Sequence, residues 1–146
     1  MRLISIYKTP MHHSILYDLL KERSTEEDKF VNISHRKLPD WEDHVEFVDS
    51  RPYRFWYFIK EQETVVGYIS MNDKNEIGIV LFRKCRGLGL GKKALALFCR
   101  THKPLPAEPS VRNGNFVANI NPKNEASIRL FEGFGFKHIQ NTYVLE

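Results

Sequence analysis

Alternating glycines lie between a strand-like run and a helix-like run near the middle of the chain. The strand-like run covers residues 76–82, the glycines are Gly87, Gly89 and Gly91, and residues 92–99 have helical spacing. A strand that ends in glycines and opens into a helix leaves main-chain N–H groups without acceptors, and the helix start adds partial positive charge. Cations bracket the turn at Arg83, Lys84, Arg86, Lys92 and Lys93. The segment therefore predicts a binding site for a pyrophosphate group.

The spacing of these glycines differs from that of two common phosphate-binding motifs. It lacks the G-x-x-x-x-G-K-[ST] of nucleoside-triphosphate loops. It also lacks the G-x-G-x-x-G of dinucleotide folds, together with the acidic residue about twenty positions further on. It matches R-x-x-G-x-G through Arg86, Gly89 and Gly91. That order resembles the acetyl-CoA loop of the GNAT superfamily of N-acetyltransferases.

A second motif in the C-terminal third carries the same resemblance. Residues 115–121 are strand-like, and the order N-x-x-S-x-x-L-[YF]-x-x-x-G-F runs from Asn124 to Phe136. It resembles the closing signature of the superfamily, and two motifs in this order are more specific than either alone. The resemblance extends from about Val65 to Phe136. It implies an α/β fold in a single domain, residues 1–146, with a central twisted mixed β-sheet flanked by helices.

The resemblance also implies which residues bind acetyl-CoA. Main-chain groups at the end of the strand would pair with the pantetheine arm, and the glycine loop would hold the pyrophosphate. Asn121 and Asn124 have an alternative interpretation, because asparagine at a strand end or a helix start satisfies local backbone groups. The implied set is Leu81, Phe82, Arg83, Arg86, Gly87, Leu88, Gly89, Leu90, Gly91, Lys92, Asn121, Asn124 and Phe131.

Acetyl transfer to an amine needs a proton acceptor, because alkylammonium groups titrate near about 10. Glu76 stands where this superfamily often has an acidic base, and we expect it to be that base; the alternative is a solvated or ion-paired carboxylate. Phe131 stands where many members have a tyrosine that serves as general acid, and phenylalanine cannot donate a proton. Tyr143, Ser127 or a water would then substitute. A thiol titrates near about 8.5, so its thiolate can also leave without an acid.

The acceptor is expected to bind to the N-terminal half, which is rich in aromatic residues. Residues 40–47 and 56–57 are similar to members that acetylate amino groups of nucleotide-activated sugars. Strand alternation would put the side chains of Arg54 and Trp56 on one face of the strand and that of Tyr53 on the other. The side chains of at least one of these faces should therefore pack in the core. The substrate candidates are Trp41, His44, Arg54 and Trp56.

Periodicity predicts the elements that position these groups. Strands are predicted at 2–7, 53–60, 64–71, 76–82 and 115–121, with a last strand or hairpin at 137–146. Helices are predicted at 11–23, after Asp40, from Lys92 and in a segment with Pro122 just inside its start. Polar or irregular connections are predicted at 24–37 and 103–114.

Composition limits the class of protein. The 146 residues are 42% hydrophobic, which fits one folded domain and argues against disorder. The net charge of +4 would suit nucleic acid, but glycines interrupt the basic stretch. The apolar stretches are too short to cross a bilayer. Two cysteines without metal-ligand spacing favour reduced thiols in the cytoplasm, and we expect no metal, because adjacent His12 and His13 should not share a helix face.

These observations predict an acetyl-CoA-dependent N-acetyltransferase in which a primary amine of a small molecule attacks directly. Two alternatives stay open: a non-catalytic CoA-binding protein of the same fold, and a protein N-terminal or lysine acetyltransferase. We expect no nucleic-acid or membrane partner. Whether the chain forms a homodimer is left open.

Overall fold

The computed structural model describes residues 1–25 and 37–146, so most of the predicted loop at 24–37 lies outside the described residues. Its strands form one sheet in the order β1-β2-β3-β4, with each neighbouring pair antiparallel. Parallel pairing occurs at an isolated bridge between Glu76 and Val117. The predicted mixed α/β fold is confirmed. The elements are β1 Arg2–Ser5, α1 His12–Arg23, α2 Trp41–Asp49, β2 Phe55–Glu61, β3 Thr64–Met71, β4 Ile77–Leu81, α3 Leu90–Thr101 and α4 Glu125–Phe134.

The sheet buries a different pair of helices on each face. On one face Phe58 and Val80 belong to an apolar cluster with Leu16 of α1 and residues of α2. On the other face Ile69 belongs to a cluster with Phe98 of α3 and residues of α4. Each fully buried side chain of this size contributes roughly 1.5–3 kcal/mol of burial free energy. Alternation along each strand therefore decides which helix pair a side chain meets.

Gly67 lets β3 and β4 come together where β4 ends. It lies opposite Leu81 in the antiparallel register. A Cβ atom at Gly67 would stand 2.1 Å from the Val80 carbonyl oxygen and 2.8 Å from the Leu81 Cα atom. No other residue fits there without moving the strand.

Asn75 fixes the long connection between α3 and α4 to the start of β4. Its side chain is fully buried. The side-chain nitrogen donates to the carbonyls of Leu105 at 3.0 Å and Asn113 at 3.1 Å, and the side-chain oxygen accepts from Leu105 N–H at 2.8 Å. Its carbonyl accepts from Val117 N–H at 3.0 Å. These bonds set the position of the next residue, Glu76.

Several predicted boundaries are wrong. The predicted strand at 115–121 is reduced to the Val117 bridge. Helix α4 begins at Glu125, so Pro122 lies before it, because the Asn124 side chain caps the helix by accepting from Ser127 N–H. Residues 137–146 form neither strand nor hairpin, and their apolar side chains are exposed. Strand β1 ends at Ser5, where a short 3-10 turn follows.

No helix in the described ranges is both long enough and apolar enough to cross a bilayer.

Candidate active site

The glycine loop presents an open main-chain surface at the start of α3. Gly87 and Gly89 have positive φ angles of 76° and 77°. A Cβ atom at either glycine would meet nothing within 4 Å. Gly89 is the N-cap of α3 and brings no side chain to cap the first turn, whose N–H groups have no acceptor within the helix. The predicted turn is present, and its open surface can accommodate a pyrophosphate group.

Gly91 has a different role from the other two glycines of the motif. It is buried, and a Cβ atom there would stand 3.2 Å from the Leu130 Cδ2 atom. It therefore permits the close approach of α3 to α4. Among the neighbouring residues, Leu90 is buried in the core, whereas Leu88 and Lys92 are exposed beside the loop.

Arg86 joins the loop to the end of β4. Its Nε–H donates to the Leu81 carbonyl at 3.3 Å. Part of the predicted phosphate-binding guanidinium is thus used to hold the strand end and the loop together.

The outer edge of β4, which faces away from β3, is hydrogen-bonded at its start to another segment of the described chain. Ile77 N–H donates to the Val117 carbonyl at 2.8 Å, and Phe82 N–H donates to the Val66 carbonyl of β3 at 2.9 Å. An antiparallel ladder alternates, so Leu81, like Ile77, directs its main-chain groups away from β3. The Leu81 N–H therefore faces the side where a ligand could pair.

Two other main-chain donors that were predicted to meet the cofactor are engaged within the chain. Phe82 N–H is bound to β3, and Arg83 N–H donates to a Glu22 carboxylate oxygen at 2.7 Å. Of the three predicted strand-end residues, Leu81 is therefore our candidate main-chain donor to the cofactor.

A cleft of about 490 Å³ lies between β4, the segment 119–121 and the first turns of α4. It includes Glu76, which is half-buried and whose Oε2 atom accepts from the Asn119 side-chain nitrogen at 2.7 Å. Sequence reasoning missed Asn119, which lay inside a predicted strand. The cleft is also lined by the predicted cofactor residues Asn121, Asn124 and Phe131.

Asn121 and Asn124 each make a hydrogen bond to a nearby backbone N–H group, which is the alternative interpretation of these two residues. The Asn121 side-chain oxygen accepts from Lys123 N–H at 2.9 Å, and that of Asn124 accepts from Ser127 N–H at 3.2 Å. Phe131 is buried, with its ring 5.0 Å from that of Phe136. These residues shape the wall of the cleft.

Tyr143 does not lie at this cleft. Its side chain is 89% exposed in the C-terminal segment, outside the residues that line the cleft. No strand forms at 137–146, so the structure does not bring Tyr143, the predicted general acid, to the cleft. Ser127 does line the cleft.

A second cavity of about 460 Å³ lies against α1, α2 and the sheet. Phe47, Tyr53 and Trp56 form an aromatic wall in which the Tyr53 and Trp56 ring centroids are 4.7 Å apart. Arg23, Tyr53 and Tyr68 line both this cavity and the cleft. The two spaces therefore meet at these three residues.

Two of the four predicted substrate residues, His44 and Trp56, line this second cavity. Trp41 and Arg54 do not: the Trp41 ring packs 5.3 Å from that of Tyr17, and the Arg54 guanidinium lies 5.7 Å from the Phe55 ring. Strand β2 begins only at Phe55, so its alternation does not reach Tyr53 and Arg54. This is why Tyr53 shares a cavity with Trp56, contrary to the prediction.

His44 is held as a neutral hydrogen-bond donor. It is buried, and its Nε2 atom lies 2.9 Å from the His13 carbonyl oxygen, to which it donates. Burial lowers the pKa of His44, and the bond to His13 opposes that shift only in part. Trp56 differs, because its indole N–H is buried with no hydrogen-bond partner in the described part of the chain.

Tyr68 and Arg23 stand where the cavities meet, and sequence reasoning missed both. Arg23 Nη1 donates to the Tyr68 hydroxyl at 3.5 Å. Burial raises the pKa of Tyr68 despite the neighbouring Arg23, so the phenol keeps its proton at neutral pH. Alternation within β3 could have placed Tyr68 on the face of α1, but the approach of Arg23 depends on tertiary packing.

Comparisons with known proteins agree with this architecture. Residues 13–137 match a family model described as the acetyltransferase (GNAT) domain. An acetyltransferase from Thermus thermophilus superposes with a TM-score of 0.67 at 18% identity, covering 96% of this chain and 88% of that one. No curated protein sequence matches.

Two further solved structures are similar to this chain. A ribosomal-protein-alanine N-acetyltransferase from Brucella melitensis has a TM-score of 0.63 at 20% identity, covering 95% of this chain and 85% of that one. The microcin C7 self-immunity acetyltransferase MccE, solved with acetyl-CoA and AMP, has a TM-score of 0.63 at 19% identity, covering 86% of this chain and 73% of that one.

The glycine loop at a helix start and the cleft along β4 are features expected of an acyl-CoA-dependent acyltransferase. The family match covers most of the chain, so the protein belongs to the GNAT acetyltransferase family. As a member of this family it is an enzyme that uses acetyl-CoA.

Proposed function

We propose that this protein transfers the acetyl group of acetyl-CoA to the primary amine of a small molecule. The observation that carries the proposal is the junction of the two cavities at Arg23, Tyr53 and Tyr68. An acceptor bound in the second cavity can present its amine to the cleft, where the family's cofactor chemistry takes place.

The residues of the cleft and loop fit the cofactor. The open glycine backbone and the uncapped first turn of α3 would bind the pyrophosphate, with Lys92 exposed beside them. The edge of β4 at Leu81 would supply a main-chain donor for the thioester oxygen. When bound, acetyl-CoA supplies an activated acetyl group whose leaving group is a thiolate.

Glu76 is proposed as the proton acceptor. Alternation puts Glu76, Gly78 and Val80 on the face of the sheet that carries the acceptor cavity. Gly78 has no side chain on this face, and a Cβ atom there would stand 3.3 Å from the Ser70 Oγ atom. The space between Glu76 and Val80 is thus left to the reacting groups.

The reaction then balances without a metal ion. The amine nitrogen bonds to the acetyl carbon as the carbon–sulfur bond breaks, and the amine proton passes to Glu76 directly or through water. The departing thiolate takes a proton from water, either directly or relayed through the Ser127 hydroxyl, since Phe131 has no proton to give. A thiol pKa near about 8.5 makes the thiolate an acceptable leaving group.

For the acceptor we propose a nucleotide-linked amino sugar. Aromatic rings at Phe47, Tyr53 and Trp56 suit a planar base or a sugar face, and Arg23 and Lys37 suit its phosphates. The AMP in the MccE complex supports this class of ligand. The prediction that Trp41 and Arg54 contact substrate has no support from the cavity lining.

A cytoplasmic location is proposed with this function. Cys85 and Cys99 are free, and Cys85 is buried, as expected for thiols in a reducing compartment. Burial raises the pKa of Cys99, which keeps that thiol protonated.

An acetylation screen tests the proposal. The panel contains nucleotide-linked amino sugars, the corresponding free amino sugars, polyamines, aminoglycosides and peptides with N-terminal alanine, and thiol release is measured alongside product mass. We expect the nucleotide-linked sugars to give the highest kcat/KM. Preference for the peptides would assign a protein N-terminal acetyltransferase, and acetyl-CoA binding without turnover on any amine of the panel would contradict the proposed acceptor.

A further inference from the structure

Two histidines and a carboxylate come together at the ends of α1 and α2, away from the cleft. One ligand atom from each of His12, His13 and Asp49 lies within 4.8 Å of the others. The His12 and His13 ring centroids are 4.1 Å apart, and His13 Nε2 is 2.7 Å from Asp49 Oδ1. The two rings were not expected to share a helix face, but they occupy the first two positions of α1, where the chain enters the helix through Met11 with a left-handed φ of 61°.

We propose that this cluster binds a divalent transition metal of the zinc class. Two imidazoles and one carboxylate form a common donor set for Zn²⁺, with a water in the fourth position. Tetrahedral bonds of about 2.0–2.2 Å place ligand atoms roughly 3.3 Å apart. Rotation of three partly or fully exposed side chains can bring the three atoms to that spacing.

A hydrogen bond outside the donor set orients one imidazole for the metal. The His12 Nδ1 atom lies 3.1 Å from the Thr9 carbonyl oxygen, to which it can donate. That bond leaves the lone pair on His12 Nε2, which is the usual arrangement for a metal-bound histidine. Thr9 is itself buried and bonded to Ile6 and Ser5, so the carbonyl is fixed.

The charges around Asp49 are of both signs. This carboxylate ends α2 at the negative pole of the helix, and the last turn of α2 has no basic residue. The positive pole of α1 and the nearby Arg51, whose guanidinium lies over the Tyr7 ring at 4.1 Å, act against a cation. The affinity must therefore come from the imidazole lone pairs, which selects zinc-class ions over Mg²⁺ or Ca²⁺.

A metal at this position would join the two helices that wall the acceptor cavity. His13 is bonded through its carbonyl to His44, and His44 lines that cavity. The bound ion is thus expected to stabilise the α1–α2 pair. This inference does not depend on the proposed acetyl transfer.

The test uses the full chain without a histidine tag, treated with a chelator and dialysed. Calorimetry with ZnCl₂ should give saturable binding of one ion per chain, and Zn²⁺ should raise the melting temperature while Mg²⁺ should not. His12→Ala and Asp49→Asn should each weaken Zn²⁺ binding about tenfold or more. The matched control His138→Ala, at an exposed histidine of the C-terminal segment, should bind as the parent does.

Co²⁺ provides a second measurement, because its visible absorption reports tetrahedral nitrogen and oxygen ligation. That spectrum should appear with the parent and be lost in His12→Ala, whose folding is checked by circular dichroism. The proposal is overturned if Zn²⁺ gives no saturable heat, or if both site variants bind it as tightly as His138→Ala. Either result leaves acetyl-CoA binding and turnover, which are measured separately, unaffected.

Discussion

The Asn119 side chain donates a hydrogen bond of 2.7 Å to the Glu76 carboxylate. Glu76 immediately precedes β4, and Asn119 belongs to the segment that leaves β4 after the Val117 bridge. The bond therefore holds the carboxylate at the edge of the cleft, on the sheet face of the acceptor cavity. In the proposed reaction this carboxylate receives a proton from the incoming amine.

Glu76→Gln should lower kcat about 100-fold with nearly unchanged acetyl-CoA affinity, because glutamine keeps the bond to Asn119 as an acceptor but cannot take a proton. The loss should be greatest at lower pH, where fewer amines are already neutral. Steady-state kinetics across pH, with calorimetry for the cofactor, measure both effects.

Asp73→Asn is the matched control, since Asp73 is an exposed carboxylate in the turn before Glu76. It should leave kcat unchanged. If Glu76→Gln were as active as this control, the proton acceptor would be water or another group.

Trp56→Phe should raise the KM for the acceptor about tenfold without changing acetyl-CoA affinity. The reason is that the Trp56 ring belongs to the aromatic wall of the second cavity, and phenylalanine would offer a smaller ring surface to the acceptor. Trp41→Phe removes an indole outside the cavity lining and should change KM less than twofold. Equal effects of the two changes on KM would remove Trp56 from the acceptor site.

Asn75→Ala should lower the free energy of unfolding by about 2–4 kcal/mol. The change removes three hydrogen bonds to the main chain of Leu105 and Asn113 and leaves a cavity where a fully buried side chain stood. Asn115→Ala, at an exposed position of the same connection, should change stability by less than about 0.5 kcal/mol. Urea unfolding measures both, and similar midpoints would mean that Asn75 does not anchor the connection.

Stability should fall as the pH drops below the ordinary histidine value. Burial lowers the folded-state pKa of His44 from 6.5, and burial does the same for His102. At a pH between the folded-state pKa and the unfolded-state value of 6.5, the unfolded chain therefore binds more protons than the folded chain. The stabilisation from the neutral histidines is fully present above pH 6.5 and is lost as the pH falls through the folded-state pKa. His44→Gln should weaken this dependence.

Thermal unfolding from about pH 7.5 to about pH 5 measures the effect. His138→Gln, at an exposed histidine, should keep the parent's dependence. A His44→Gln slope equal to the parent's would show that His44 does not contribute.

Local sequence signals predicted the order of elements from β1 to α3 and the glycine turn before α3. The Gln62 and Glu63 turn between β2 and β3, with φ angles of 48° and 68°, falls between the strands predicted at 53–60 and 64–71. The alternating glycines and the Asn124 motif are likewise short-range features. Each depends on backbone geometry over a few residues, which sequence records directly.

Features that depend on distant packing were not predictable in this way. Asn119 looked like a strand residue, because nothing local says that the chain leaves β4 after Val117. Tyr143 was named as a substitute general acid, but its segment forms no strand and leaves it exposed. The position of Arg23 beside Tyr68 and the meeting of His13 with Asp49 each join residues far apart in the chain.

The central claim is that main-chain N–H groups of the glycine loop bind the pyrophosphate of acetyl-CoA. Calorimetry of Gly89→Asp and Gly89→Asn tests it most directly, because both variants share the left-handed φ of 77° and nearly the same volume. The aspartate should abolish acetyl-CoA binding by repelling the phosphates, while the asparagine should keep measurable affinity and both should remain folded. Equal affinity of Gly89→Asp and the parent would contradict the account.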